Sequence, residues 1–473
     1  MDRRRFLTTA GAAAGASLIS QAAFGSLLPS ISSSSDKKPN ILLIMTDQQS
    51  ADAMSRRIGK RYLNTPAVDS IAAAGTFFTR AYCSNPLCIP SRTSLFSGLY
   101  PHQTKVQTNS DAKKFDPESA RCMGAIFRDA GYDTALIGKW HIAFPEKDAA
   151  AHGFELTAIK NNGFDSEVAV RAEEFLRTKR TKPFLLVASF INPHNICEWA
   201  RGDKLPDGEV GTPPALDQCP PLIENHPPME NEPDIVSLIR KSYQSAPMFP
   251  VGNFDAKKWR EYRWAYYRMI EKVDALIGRV IQALRDSAEH DNTVIVFTSD
   301  HGDCQGAHGW NQKTVLFDEA SRVPLVISAP GGSKGRVCDR LVNTGVDMIP
   351  SLCGVAGIPV PKNLPGLALM NGARLIEKDP RNYLVVQNHM IQGEPIDGQK
   401  PEPNGRMIRS RTYKYCAYDM GQHRESLVDV ESDPGEMVNL AGKKEYRSVL
   451  ERHRQYLAEW CQKYSDPFTV TPS

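Results

Sequence analysis

Asn40-Ile41-Leu42-Leu43-Ile44-Met45-Thr46-Asp47-Gln48-Gln49 is an unbroken apolar run that stops abruptly at polar residues. A run of this length without alternation reads as a strand buried on both faces, the kind found in a parallel sheet covered by helices. The same shape recurs at TALIG (134–138), which ends in Lys139-Trp140-His141, and at FLLVASFIN (184–192), which ends in Pro193-His194. It recurs again at TVIVFTS (293–299), which ends in Asp300-His301-Gly302-Asp303. Ligand sites of open α/β sheets lie just beyond the carboxyl ends of the strands, so these endings mark where the chemistry should sit.

The rest of the chain fits an α/β protein. Its 473 residues are 41% hydrophobic and 23% charged, which excludes a disordered chain and supports a large core. Residues 256–286 carry Trp259, Tyr262, Tyr266, Ile270, Val273, Ile277, Val280 and Leu284 at steps of three or four, one face of a long helix packed into that core. The Pro-rich stretch 195–234 reads as an irregular insertion, and starting just after His194 it would overhang the site. Beyond a boundary near 370, the segments 383–389, 406–419 and 425–432 read as a small antiparallel sheet, and 443–463 as an amphipathic helix. The expected organisation is residues 1–37 as export signal and linker, 38–370 as the catalytic domain and 371–473 as a C-terminal subdomain.

Charge excludes some partners. Lys+Arg 57 against Asp+Glu 54 leaves +3, with no global field to attract nucleic acid. After the first thirty residues no apolar run approaches the ~20 residues a membrane span needs. The N-terminus itself, Arg3-Arg4-Arg5-Phe6-Leu7 before an Ala- and Gly-rich apolar stretch, resembles a bacterial twin-arginine export signal, with an ordinary secretory signal as the alternative. Either implies a periplasmic or secreted protein without a membrane span after processing. The ten cysteines show no paired or metal-finger spacing, so several read as plain buried thiols.

Cys88-Ile89-Pro90-Ser91-Arg92, continued by Thr93 to Gly98, resembles the C-x-P-S-R signature of type I sulfatases, members of the alkaline phosphatase superfamily. Gly131-Tyr132-Asp133-Thr134-Ala135-Leu136-Ile137-Gly138-Lys139-Trp140-His141 matches that family's second signature at every fixed position. The resemblance spans about residues 38 to 440. It implies a large, mostly parallel mixed sheet sandwiched by helices, followed by a smaller antiparallel sheet and helix.

It also implies a site. The family's cysteine is oxidised to formylglycine by a formylglycine-generating enzyme, and the hydrated aldehyde attacks the sulfate ester. Cys88 would be that residue. Asp47, Gln48, Asp300, His301 and the modified Cys88 would hold one divalent metal. The family's commonest pattern is Asp-Asp and Asp-Asn, whereas this chain has Asp47-Gln48 and Asp300-His301. A His nitrogen suits Mn²⁺ or Zn²⁺ better than Ca²⁺. Ca²⁺ is nonetheless the metal the resemblance implies, with Mg²⁺, Mn²⁺ and Zn²⁺ as alternatives. Arg92 and Lys139 would hold the formylglycine and balance the sulfate charge. His141 would accept the proton that releases sulfate. His194 and Lys313 would contact sulfate and help protonate the leaving group. His308, five residues before Lys313, is a candidate for contacting the substrate or its leaving group.

The expected substrate is a sulfated small molecule or oligosaccharide, such as a glycosaminoglycan or algal polysaccharide fragment. A choline-sulfatase-like enzyme and a phosphonate monoester or phosphodiester hydrolase are the rivals within the superfamily. A non-catalytic sulfated-glycan binding protein is the rival of another class, but it would have no need of the proton acceptor His141.

Overall fold

The computed structural model describes residues 37–158 and 165–469. The expected export signal therefore lies outside the described residues. All four apolar runs are strands of one sheet with eight strands: β1 (Asn40–Asp47), β2 (Thr76–Tyr82), β3 (Asp133–Gly138), β4 (Glu155–Ala158), β5 (Phe184–Pro193), β6 (Thr293–Ser299), β7 (Leu325–Ser328) and β8 (Arg336–Asn343). Their spatial order is β4-β3-β5-β1-β6-β7-β2-β8, and every pairing is parallel except those of β7 with β6 and β2.

Alternate side chains of β1 enter opposite cores, as the period of two in a strand requires. Ile41, Leu43 and Met45 join one apolar layer with Leu95 and Phe96 of the helix Cys88–Ser97 and with Ile349 and Leu352 of the helix Thr344–Ala356. Leu42 and Ile44 join the other, with Val68 and Ile71 of the helix Pro66–Ala74, Val168 of the helix Asp165–Arg177, and Val273, Ile277 and Val280 of the long helix Ala256–Arg285. Burying β1 on both faces is why its sequence is a continuous apolar run.

Register places the strand ends. Thr46 of β1 lies opposite Ser299 of β6, so Asp47 and Asp300 leave the sheet side by side. Gly138 of β3 lies opposite Ser189 of β5, and a Cβ at Gly138 would stand 2.1 Å from the Ser189 carbonyl oxygen. With φ at 107°, only glycine fits there.

The C-terminal sheet has the strands Tyr383–His389, Asn404–Ser410, Tyr413–Tyr418 and Glu425–Asp429 in that order, and the helix Arg447–Tyr464 packs with it through Leu450, Leu457 and Trp460. The stretch 406–419, expected as continuous strand, breaks at Arg411-Thr412, where the Ser410 hydroxyl accepts the Tyr413 N–H at 3.2 Å and turns the chain back. From Lys38 onward the chain forms one compact unit. Asn343 at the end of β8 donates to the Val385 carbonyl at 2.8 Å, and Arg381 pairs with Asp347 at 2.7 Å, fastening the small sheet to the large one. The insertion after His194 holds a short helix, Ile196–Arg201, and one 3-10 turn, Leu216–Gln218, and is otherwise irregular until the helix Asp234–Ser245. Arg260 of the long helix donates to its Pro220 carbonyl at 2.9 Å. No helix among the described residues is long and apolar enough to cross a membrane.

Candidate active site

Asp47, Cys88, Asp300 and His301 are all buried, and each offers one ligand atom within 4.8 Å of the others. Cys88 arrives there as the first residue of the helix Cys88–Ser97, a position whose free backbone N–H groups favour an anion. Asp47 and Asp300 arrive from β1 and β6. His301 follows with its Nδ1 at 3.0 Å from the Gly302 carbonyl. A carbonyl can only accept, so Nδ1 carries a proton, and Nε2 faces the cluster, 3.2 Å from Cys88 Sγ and 3.8 Å from Asp47 Oδ1; against its burial, Asp300 and Cys88 beside it raise the ring's pKa. Two carboxylates, an imidazole nitrogen and residue 88 form a donor set that fits a divalent cation.

Arg92 braces the two carboxylates from behind. Its Nε donates to Asp300 Oδ2 at 2.7 Å, Nη2 to Asp47 Oδ2 at 3.3 Å, and Nη1 to Ser189 Oγ at 2.9 Å and to the Lys139 carbonyl at 3.2 Å. The Lys139 ammonium also pairs with Asp47. Both side chains make their direct contacts with the carboxylates, where the buried guanidinium satisfies its donors, and bear on the Cys88 position through their charge.

Around the Cys88 sulfur stand Lys313 Nζ at 3.3 Å and the rings of His141 and His194, which bear on its charge. The sulfur occupies the place of the hydroxyls of a hydrated aldehyde. Burial pushes the Cys88 thiol up, but Lys313, Lys139 and His301 outweigh it and hold the group well below the usual thiol range. Burial likewise works against the charged forms of Asp47, His194 and Lys313. For Asp47, the lysines Lys139 and Lys313, with His194 adding to them, prevail and the carboxyl is lowered. His194 is lowered by burial together with Lys313 and Lys139. Lys313 is raised, because the anionic partners Cys88 and Asp47 outweigh its burial. Asp300 is raised by burial and by Asp47 beside it. The position of residue 88 is thus a place for negative charge.

Two expected site residues sit otherwise. Gln48, expected as a metal ligand, turns through φ 72° and places its amide between Lys313 and Asp303: Oε1 accepts from Lys313 Nζ at 2.6 Å, and Nε2 donates to Asp303 Oδ2 at 2.7 Å. Its oxygen is committed to the ammonium. His308, expected at the leaving group, is buried in the wall between the insertion and the residues after Lys313. Its ring stacks on Phe317 with centroids 3.9 Å apart, its Nε2 is 3.5 Å from Asn225 Nδ2, and its backbone N–H donates to the Asn225 carbonyl at 2.7 Å. Closeness in sequence to Lys313 does not bring it to the sulfur.

The sequence reading missed Asp303, Ser189, Tyr262 and Tyr266. Tyr262 and Tyr266 lie on the buried stripe of the long helix, yet Tyr262 Oη donates to Asp303 Oδ2 at 3.0 Å and Tyr266 Oη to the Gln48 carbonyl at 2.7 Å. For the tyrosines the signal is their place in an apolar stripe, since a buried hydroxyl needs a partner, and for Asp303 it is the polar ending of β6. None of the ten cysteines is in a disulfide, and all are buried.

A model of the family described as Sulfatase matches residues 39–358, and one described as N-sulphoglucosamine sulphohydrolase, C-terminal, matches residues 306–463. The chain is 30% identical over 451 residues to the Delta 4,5-hexuronate-2-O-sulfatase of Bacteroides thetaiotaomicron, covering 91% of this chain and 90% of that protein. Among solved structures, a 2-O GAG sulfatase aligns with a TM-score of 0.79 at 27% identity, over 92% of this chain and 95% of the other. The phosphonate monoester hydrolase of Agrobacterium radiobacter shares the fold, with a TM-score of 0.70 at 23% identity over 90% and 96% of the two chains.

Proposed function

The chain belongs to the type I sulfatase family, and from that premise we propose that it hydrolyses a sulfate ester on a sulfated carbohydrate, with formylglycine made from Cys88 and one divalent cation, Ca²⁺ foremost. Asp47, Asp300, His301 and residue 88 would hold the cation. The observation that carries this reading is the Cys88 position itself: two strand-end carboxylates on one side, and Lys313, His141 and His194 on the other. Formylglycine supplies a hydrated aldehyde in place of a thiol, which would form a stable thiosulfate ester, and the cation lowers the hydroxyl's pKa.

The chain's own residues do the rest. Lys313, at 3.3 Å from Sγ, and Lys139 lay positive charge where the sulfuryl oxygens gather negative charge. His194 faces the same position, and burial with Lys313 and Lys139 lowers its pKa, so it would meet the sulfate as a hydrogen-bond partner more than as a further fixed cation. His141 stands beside residue 88, and its buried Nδ1 has no partner, so that nitrogen offers a lone pair for the proton that releases sulfate. Arg92 holds Asp47 and Asp300 in place and offsets their charge.

What supports a carbohydrate is the relatives: one is a Delta 4,5-hexuronate-2-O-sulfatase and another a 2-O GAG sulfatase. The test is release of sulfate from unsaturated 2-O-sulfated uronate disaccharides, run in parallel with an aryl phosphonate monoester. A second reading, phosphonate monoester hydrolysis, draws on His301 standing in the cluster where Asp-Asn is commoner. Faster turnover of the phosphonate would favour it, and binding of both without turnover would favour a glycan-binding protein. Export by the twin-arginine route is part of the proposal, and replacing Arg4 and Arg5 by Lys should leave the protein in the cytoplasm.

A further inference from the structure

Lys313 is the last link of a buried chain that no sequence motif announces. Tyr262 Oη donates to Asp303 Oδ2 at 3.0 Å, Gln48 Nε2 donates to the same oxygen at 2.7 Å, and Lys313 Nζ donates to Gln48 Oε1 at 2.6 Å while lying 3.3 Å from Cys88 Sγ. Asp303 Oδ1 accepts the Gln305 backbone N–H at 2.7 Å. All of these residues are buried.

The direction of the chain is fixed by chemistry. An ammonium has donors only, so the oxygen of the Gln48 amide must face it. The nitrogen then faces Asp303, whose two oxygens already receive donors from Tyr262 and Gln305. A carboxylate that only accepts cannot tolerate the amide turned the other way. Lysine is a flexible stem that does not aim itself, and the amide is a neutral holder that leaves its charge available to an anion.

We propose that Gln48 and Asp303 are positioning residues for Lys313: Asp303 sets which way the Gln48 amide points, and Gln48 Oε1 holds the Lys313 ammonium against residue 88, where the sulfate binds. The assignment rests on the sulfatase reading for what Lys313 meets there. It replaces metal ligation as the role of Gln48.

A polarity-swap cycle tests it. Gln48→Glu sets two carboxyl groups against each other, and Asp303→Asn sets an N–H group against the Gln48 amide or the Gln305 N–H. The double variant keeps the net charge and restores a consistent chain: the new amide at position 303 donates to the new carboxylate at position 48, which accepts from Lys313. Measured on 4-nitrophenyl sulfate, each single variant should lower kcat by about 10- to 100-fold, the scale of one misplaced catalytic group. The double should be at least about tenfold more active than the product of the two losses. Affinity for inorganic sulfate, measured by calorimetry, should follow the same cycle, and metal content should stay at the wild-type level in all three variants.

Multiplicative losses, or loss of metal in Gln48→Glu and the double variant alike, would overturn the assignment. A wild type that binds sulfate but hydrolyses no ester would sink the functional reading and still let the cycle be read in sulfate affinity. If a single variant does not fold, Tyr262→Phe decides: it removes one donor to Asp303 and should lower kcat a few-fold, and an unchanged kcat and sulfate affinity would contradict the chain.

Discussion

Asp47 and Asp300 stand side by side because the residues before them, Thr46 and Ser299, are partners in the parallel register of β1 and β6. Two buried carboxylates repel, and the protein sets Arg92 against both, at 3.3 and 2.7 Å. Removing one member of such a buried set costs more than the set contributes, because the remaining charges lose their compensation.

Arg92→Ala should therefore destabilise the fold by about 3–5 kcal/mol, the range for breaking a buried ion pair. The loss should be partly recovered in millimolar Ca²⁺, since a bound cation compensates the same carboxylates. Thermal unfolding with and without Ca²⁺ measures both, and a variant as stable as wild type in chelator would show that the brace carries no compensation.

Asp300→Ala should lose the metal, because Asp300 brings a charged oxygen to the four-residue cluster. Metal analysis should fall from one divalent ion per chain to well below one, and kcat should drop by at least about 100-fold, as for loss of an electrostatic group at a reacting centre. The melting temperature needs to be followed alongside, since metal binding contributes to folding.

His308→Phe should slow an activated aryl sulfate and an alkyl or sugar sulfate by the same factor, because its ring stacks on Phe317 and lies apart from the nucleophile. Burial, with Lys414 and Arg240 adding to it, lowers the His308 pKa to about 3. A folded-state pKa below the unfolded value means that the unfolded chain binds more protons between the two. His308 thus lowers stability as pH falls from about 6.5, the ordinary histidine value, toward 3. Urea unfolding of His308→Phe should show a flatter acid limb across that window than wild type, and identical limbs would contradict this assignment.

The parts of this structure that are legible in the sequence are those written locally. β1, β3, β5 and β6 are apolar runs whose polar endings fall within a few residues, so both strand and site residue are readable from one stretch. β7 is not, because a strand of four residues antiparallel to its neighbours has neither length nor alternation to mark it. Gln48 and Asp303 are 255 residues apart, and their partnership is set by the register of β1 with β6, which no motif records. His308 misleads for the converse reason: it is near Lys313 in the chain, but Gly306 and His308 itself, with φ of 97° and 51°, turn the backbone and send its ring to Phe317.

Conversion of Cys88 is the claim on which the rest depends, and one tryptic peptide tests it. Cleavage after Arg80 and Arg92 releases Ala81–Arg92, which holds Cys83 and Cys88. In active protein produced with a formylglycine-generating enzyme, mass spectrometry after alkylation should show Cys83 carrying the alkyl group and residue 88 with the mass of formylglycine, aldehyde in place of thiol. Active protein in which both cysteines are alkylated in full would contradict the account.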